Sequence, residues 1–155
     1  EVTYSKTYTT NYTCSFLTYY KKLIWTGDFQ YTKNGTLRSY AIENQNAETS
    51  SLKEMSSVTI PPSVQGLTFA AGGKLILSRA YGYTNELNIY KPTNVGKTSM
   101  KLGKKLKTVV TPALNEGIAI NATYLYVNFE SALPGSLALN HMDRVVAFKL
   151  KSILK

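Results

Sequence analysis

Cysteine is almost absent from this sequence: among 155 residues there is only Cys14. One thiol cannot close an intramolecular disulfide, so the fold needs no such cross-link. Histidine is as scarce, with His141 alone, set in a polar stretch. Paired-His zinc ligation and a Cys–His nucleophile therefore lack their material. Cys14 is expected to be a buried, inert thiol. No apolar run approaches the roughly 20 residues of a membrane-spanning helix. There is no Walker loop, no G-x-G-x-x-G, no G-x-S-x-G and no C-x-x-C, so the usual nucleotide, acyl-transfer and zinc signatures are missing. A signal peptide and an initiator Met are missing too, and "EVTYSKTYTT" at 1–10 already reads as a strand. That start is expected to be a processing, cloning or proteolytic boundary. Helical periodicity is also lacking. The one candidate, "NQNAETSSLKEMSS" at 44–57, is rich in Ser, Thr and Asn with little apolar face, and is read as a loop or an irregular outer strand.

What is present is enough for one domain with a core: 43% hydrophobic residues against 17% charged, a balance of neither disorder nor membrane insertion. The net charge of +9 is uneven, because "KPTNVGKTSMKLGKKLK" at 91–107 holds six lysines and no acid. Lys97, Lys101, Lys104, Lys105 and Lys107 are expected to form either a solvated outer strand or an anion-binding face. The anion would be a teichoic acid, an acidic glycan or a lipid headgroup. Nucleic acid fits poorly, since the segment has no aromatic to stack a base and lysine lacks the bidentate fork of arginine.

A repeat organises the chain. "CSFLTYYKKLIWTGDF", "QGLTFAAGGKLILSRAYG" and "EGIAINATYLYVNFESA" open at Cys14, Gln65 and Glu116, two steps of 51 residues. Second strands start at Leu23, Leu75 and Leu125, and third strands carry Tyr40, Tyr90 and Phe148. The segments are rich in Val, Ile, Tyr, Phe and Thr, with turn residues such as "KNGT" and "AAGGK" between them. A β-branched strand ending in proline, "SSVTIPP" or "KTVVTP", follows each of the first two triplets, as proline must stand outside the ladder. An all-β chain with about four strands per 50 residues is the period of a β-propeller. Residues 1–155 would then be three four-stranded blades, half of a six-bladed propeller. The N-terminal strand 1–10 would complete a blade beside "RVVAFKL". Two exposed blade faces require closure, by a second copy of the chain or by blades that this sequence lacks.

The pairs "VQGLTFAAGGKLILSRAYG" and "NEGIAINATYLYVNFESA" resemble inner-strand pairs of six-bladed propellers of the NHL, gluconolactonase-like and quinoprotein-like type. They are also similar to segments of secreted proteins of low-GC Gram-positive bacteria. The resemblance implies an extracellular or cell-surface setting. The repeat, the missing catalytic and metal signatures and the lysine-rich face point to a non-catalytic binding or scaffold module, with an anionic cell-wall polymer, glycan or protein ligand at the propeller face or channel. The gluconolactonase-like branch of the resemblance implies the alternative, a metal-dependent hydrolase in which Glu116 stands where a channel metal ligand could. Cys14 and Gln65 occupy the matching positions of the other repeats.

At the channel mouth the candidates are Asp28, Gln65, Arg79, Tyr81, Glu116, Asn128 and Glu130. Ionic stapling of Arg79 to Glu116 or Glu130 is the expectation, since the guanidinium binds a carboxylate twice. The competing readings are a polar-ligand or cation site, where the oxygen donors suit Ca²⁺, and a glycosidase carboxylate pair. Tyr81 and Tyr83 are expected to be exposed, as a sugar platform requires. Trp25 is expected in a blade core. The sequons at Asn11, Asn34 and Asn121 carry no argument in so Asn- and Thr-rich a chain.

Overall fold

A computed structural model of the chain describes residues 6–44, 51–81, 84–111, 114–130 and 143–155. The first sheet is a meander of β1 (Phe16–Tyr20), β2 (Leu23–Gly27), β3 (Gly35–Glu43) and β4 (Ser51–Ile60). The second repeats it with β5 (Val64–Phe69), β6 (Leu75–Tyr81), β7 (Thr84–Thr93) and β8 (Lys101–Val110). The third has β9 (Asn115–Ile120), β10 (Tyr124–Glu130) and β11 (Asp143–Lys149). Every pairing within these sheets is antiparallel, each strand beside its sequence neighbour. The chain is all-β, and none of the sheets closes into a barrel. A short helix, α1 (Leu150–Leu154), follows β11; the sequence reading expected none. Its five residues bury Leu150 and Ile153, so packing rather than propensity holds it.

The sheets stack face to face through two apolar layers. Between the first and second lie Phe16, Trp25, Leu37, Val64, Phe69, Leu75 and Leu77. Trp25 is fully buried, as expected; its ring meets Phe69 at 4.7 Å, and Phe69 stacks on Tyr20 at 4.4 Å. Between the second and third lie Ile76, Leu87, Ile89, Leu125, Val127 and Phe129, closed below by α1. The alternation of the strands produces both layers: β6 sends Leu75 and Leu77 to one side and Ile76 to the other.

Where the sheets meet, their first strands run side by side, β5 touching β1 on one flank and β9 on the other. Gly66 makes the second contact possible: a Cβ there would stand 2.7 Å from the Glu116 carbonyl oxygen and 3.1 Å from Gly117 Cα. Beside it, fully buried Asn115 ties the two sheets by hydrogen bonds. Its amide donates to Ser78 Oγ at 2.7 Å and to the Glu86 carbonyl at 3.2 Å, while Thr111 Oγ1 donates to its Oδ1 at 2.6 Å.

Two expectations need correction and a third is narrowed. The N-terminal strand over 1–10 is described only from residue 6, and residues 6–10 are not in a strand. Thr9–Tyr12 lie instead against Tyr40, Leu52 and Glu54 of the first sheet, where the Arg38 guanidinium covers the Tyr12 ring at 3.7 Å. The attraction of a cation for an aromatic face holds this segment close to its own sheet. Cys14 is exposed rather than buried, because it precedes β1 and does not enter the sheet interior. Of 44–57, read as a loop or an irregular outer strand, residues 51–57 are the outer strand: they belong to β4, at the edge of the first sheet. Their polar side chains suit an outer strand whose ladder with β3 runs from Gly35 to Glu43.

Gly66→Ala drives a methyl group into backbone, which cannot yield as a flexible side chain would. It should lower stability by about 1–3 kcal/mol, read as a shift of the urea midpoint. The loss should appear in the melt of residues at the β5–β9 contact, followed by hydrogen exchange.

Candidate functional site

The up-and-down order of the strands sorts the connections into two ends. One end carries 28–34, 61–63 and 111–114. Asp28, Glu86, Glu116 and Glu130 all lie there, and it is called the acidic end below. The other carries the turns at 21–22, 70–74 and 94–100, with Lys21, Lys22, Lys74 and Lys97, and is the basic end.

At the acidic end Asp28 follows β2 and builds a loop. Its Oδ1 accepts the Thr36 N–H at 2.6 Å and its Oδ2 the Gln30 amide at 2.8 Å. Burial opposes the charge of Asp28, but these hydrogen bonds outweigh it and hold the carboxyl below its ordinary value. Ser63 fastens the same loop from the second sheet: its N–H donates to the Gln30 carbonyl at 2.7 Å and its hydroxyl to the Tyr31 carbonyl at 2.9 Å. Ser63 sits at φ 64 to do so, a left-handed conformation uncommon for serine. The loop presents Phe29 and Tyr31, whose rings meet edge to face at 4.8 Å. Tyr31 meets Tyr81 of β6 at 4.9 Å. Tyr31 is 60% exposed and Tyr81 50% exposed, while Phe29 is partly buried. Tyr83 lies outside the described residues.

At the same end, Gln65 reaches from the second sheet to the third. Its amide donates to the Glu116 carboxylate at 3.4 Å and to the Ala80 carbonyl at 3.5 Å. Burial, the charge of Glu130 and a hydrogen bond shared with Glu130 all push the Glu116 carboxyl up. The two glutamates of the third repeat are therefore neighbours. A bulge in the β9–β10 ladder between Val127 and Phe129 sets their offset.

Arg79 is placed differently from expectation. Its partner is Glu86, directly opposite it in the β6–β7 ladder, not Glu116 or Glu130. Its Nε donates to the Pro62 carbonyl at 2.8 Å, and Glu86 also accepts the Asn88 amide at 2.8 Å. A carboxylate on the paired strand stands within reach without any approach between sheets. The staple between sheets is Gln65–Glu116 and the Asn115 network. Asn128 lies on the free face of the third sheet, in a shallow apolar groove of about 310 Å³ with Gly117, Ala119, Tyr126 and Val145.

Along β8, Lys101, Lys104 and Lys105 are exposed, while Lys107 is half-buried with its ammonium 3.4 Å from the Ser152 carbonyl. Lys97 lies apart from them, in the β7–β8 turn. Among the described residues no group of three or more His, Cys, Asp or Glu is disposed to hold a metal ion. His141 lies outside the described residues. Sequence reasoning missed Phe29, Tyr31 and Ser63. "GDFQYTKNG" carries two aromatics inside a turn, which is the signal that could have found them. No protein-family model and no curated protein matches this chain.

The Glu116 carboxyl sets a pH dependence. With its folded value raised, the folded state keeps a proton that the unfolded chain releases near pH 4.3. Stability contributed by that proton is present at lower pH and is lost as pH rises through the folded value. Asp28 has the opposite sign, its contribution being lost as pH falls through its depressed folded value. Glu116→Gln keeps an acceptor for Gln65 and gains a donor for Glu130. Urea titrations across the acid-to-neutral range should show the wild-type decline on the rising side flattened in Glu116→Gln, and the variant more stable at neutral pH.

Proposed function

We propose that this chain is a non-catalytic binding module, three blades of a six-bladed propeller, which takes a glycan at its acidic end. One observation carries the reading: the exposed rings of Tyr31 and Tyr81, with Phe29 against Tyr31, at the same end of the sheets as the amide and carboxyls of Gln65, Glu116 and Glu130. A sugar offers an apolar C–H face to an aromatic ring and hydroxyls to amides and carboxylates, and this surface presents both. The ring row is held from below by Asp28 and Ser63, so it is ordered before a ligand arrives, and less entropy is lost on binding. Polysaccharides of a cell surface are the natural partners of such a site, which agrees with an extracellular or cell-surface setting. The lysines of β8 would add a long-range attraction for acidic chains.

The propeller reading is supported by three successive meanders whose first strands adjoin. The outer faces of the end sheets support closure by a further set of blades: Leu17 and Tyr19 on the first and Val145 on the third are all exposed. A second copy of the chain supplies that set.

Two measurements test these readings. Tyr31→Ala and Tyr81→Ala should each weaken retention in affinity electrophoresis through bacterial cell-wall polysaccharide by about tenfold, on the scale of 1.4 kcal/mol. Unchanged mobility of both variants sinks the glycan site. In sedimentation equilibrium the chain should run at twice its own mass. A monomer that melts cooperatively would overturn the half-propeller.

A further inference from the structure

The basic end holds a cavity that the glycan reading does not use. It measures about 530 Å³ and lies between the first two sheets, lined by Tyr20, Lys21, Gly72, Gly73, Asn94 and Lys97. Three separate turns build it, and each is shaped for the purpose by its backbone. Lys21 and Lys22 are the two central residues of the β1–β2 hairpin, at φ 52 and φ 60. A two-residue turn with both positions left-handed normally takes Asn-Gly; here it takes two lysines, at a conformational cost. Gly72 and Gly73 stand at φ 76 and φ 75, and a Cβ on Gly72 would meet nothing within 4 Å, so the floor is open backbone. Asn94, at φ 53, begins the third turn, which carries Lys97.

The charge around this cavity is of one sign. No Asp or Glu occurs in residues 2–27, 55–85 or 87–115, the three stretches from which the lining comes. Among the described residues, Glu43 at this end of the first sheet is paired with Lys53 at 3.2 Å. Lys21 lies over the Tyr20 ring at 5.7 Å from its centroid, which orders it beside the opening. The Tyr20 hydroxyl lies 3.7 Å from where a Gly73 Cβ would stand. Two ammonium groups, a phenol and the second N–H of the Asn94 amide, whose first donates to the Ser99 carbonyl at 3.3 Å, are hydrogen-bond donors with no carboxylate among them. Lysine in this role suits a tetrahedral oxyanion approached as a point charge, without the planar match that arginine brings to a carboxylate. The volume exceeds that of a bare phosphate and leaves room for a small polyol or sugar.

We infer that this cavity binds a phosphate ester, its phosphoryl oxygens between Lys21 and Lys97 and its polar body over Gly72 and Gly73. The ester could be a free phosphomonoester or a phosphodiester unit of a polymer, and the same donors would take either. The inference is independent of the glycan site, which lies at the opposite end and shares no residue with it.

The chain carries its own probe, since Trp25 is the sole tryptophan and its Nε1–H donates to the Tyr20 carbonyl at 3.1 Å. Glycerol 3-phosphate and a short poly(glycerol phosphate) should be titrated separately into the full chain, with Trp25 fluorescence and calorimetry as readouts and glycerol as the uncharged control. The expected result is saturable binding of at least one of the two, with none of glycerol. The monoester alone marks a small-molecule site, and the polymer alone marks a diester site. The double variant Lys21→Ala/Lys97→Ala should lose about tenfold or more in affinity. Lys104→Gln/Lys105→Gln removes the same charge elsewhere and should keep it. Gly72→Asp, which puts a carboxylate over the open floor, should abolish binding while circular dichroism stays that of the parent. The inference is overturned if neither ester saturates below about 10 mM, or if the two double variants lose affinity equally. Equal loss would mean general attraction to a basic protein.

Discussion

The close approach of β5 to β9 is the constraint on which the rest of the structure depends. The first strands of the second and third sheets can lie this close only because residue 66 has no side chain: at Gly66 a single methyl group would collide with backbone. With that contact made, Asn115 reaches Ser78 and the Glu86 carbonyl, so the polar groups buried at the junction find partners. The apolar layers on either side of the second sheet then have a fixed spacing. Gln65 and Glu116 also meet only because their strands do.

The same arrangement separates the charges. In a meander, alternate connections fall at opposite ends, and three meanders side by side add their connections end to end. Carboxylates that are far apart in the chain collect at one end, and lysines of three unrelated turns at the other. The acidic end is built by hydrogen bonds that fix a loop: Asp28 and Ser63 hold Phe29 and Tyr31 in place. The basic end is built by backbone conformation: left-handed lysines, glycines and an asparagine turn the chain tightly around a cavity. The exposed rings and the cationic cavity therefore stand at opposite ends of the sheets.

Much of the fold was legible in the sequence for a simple reason: strand alternation and turn chemistry are local. Leu23 and Leu75 begin strands, Tyr40 and Tyr90 sit on the third strands, and Trp25 is buried. The first strands begin at Phe16, Val64 and Asn115, beside the residues that mark the 51-residue interval. The site was less legible, because a side chain's partner depends on what folding brings near. Arg79 had two attractive carboxylates in the next repeat, yet Glu86 across its own ladder was closer. Asp28 carries the residue type of a ligand but serves as a loop support. Tyr31 drew no expectation at all, because what places it is Ser63, more than 30 positions away in the β4–β5 connection, which holds its loop by hydrogen bonds to the Gln30 and Tyr31 carbonyls.

By itself, the order of residues determined that this chain is all-β and that 91–107 holds six lysines and no acid, since periodicity, propensity and charge are properties of neighbours in the chain. Only the tertiary structure decided which ends gather acid and which gather lysine, that Glu116 and Glu130 share a proton-holding contact, and that a cavity opens between Lys21 and Lys97. Those outcomes depend on distances between residues more than 50 positions apart or on ladder bulges such as that between Val127 and Phe129, and such distances are set by packing rather than by local preference.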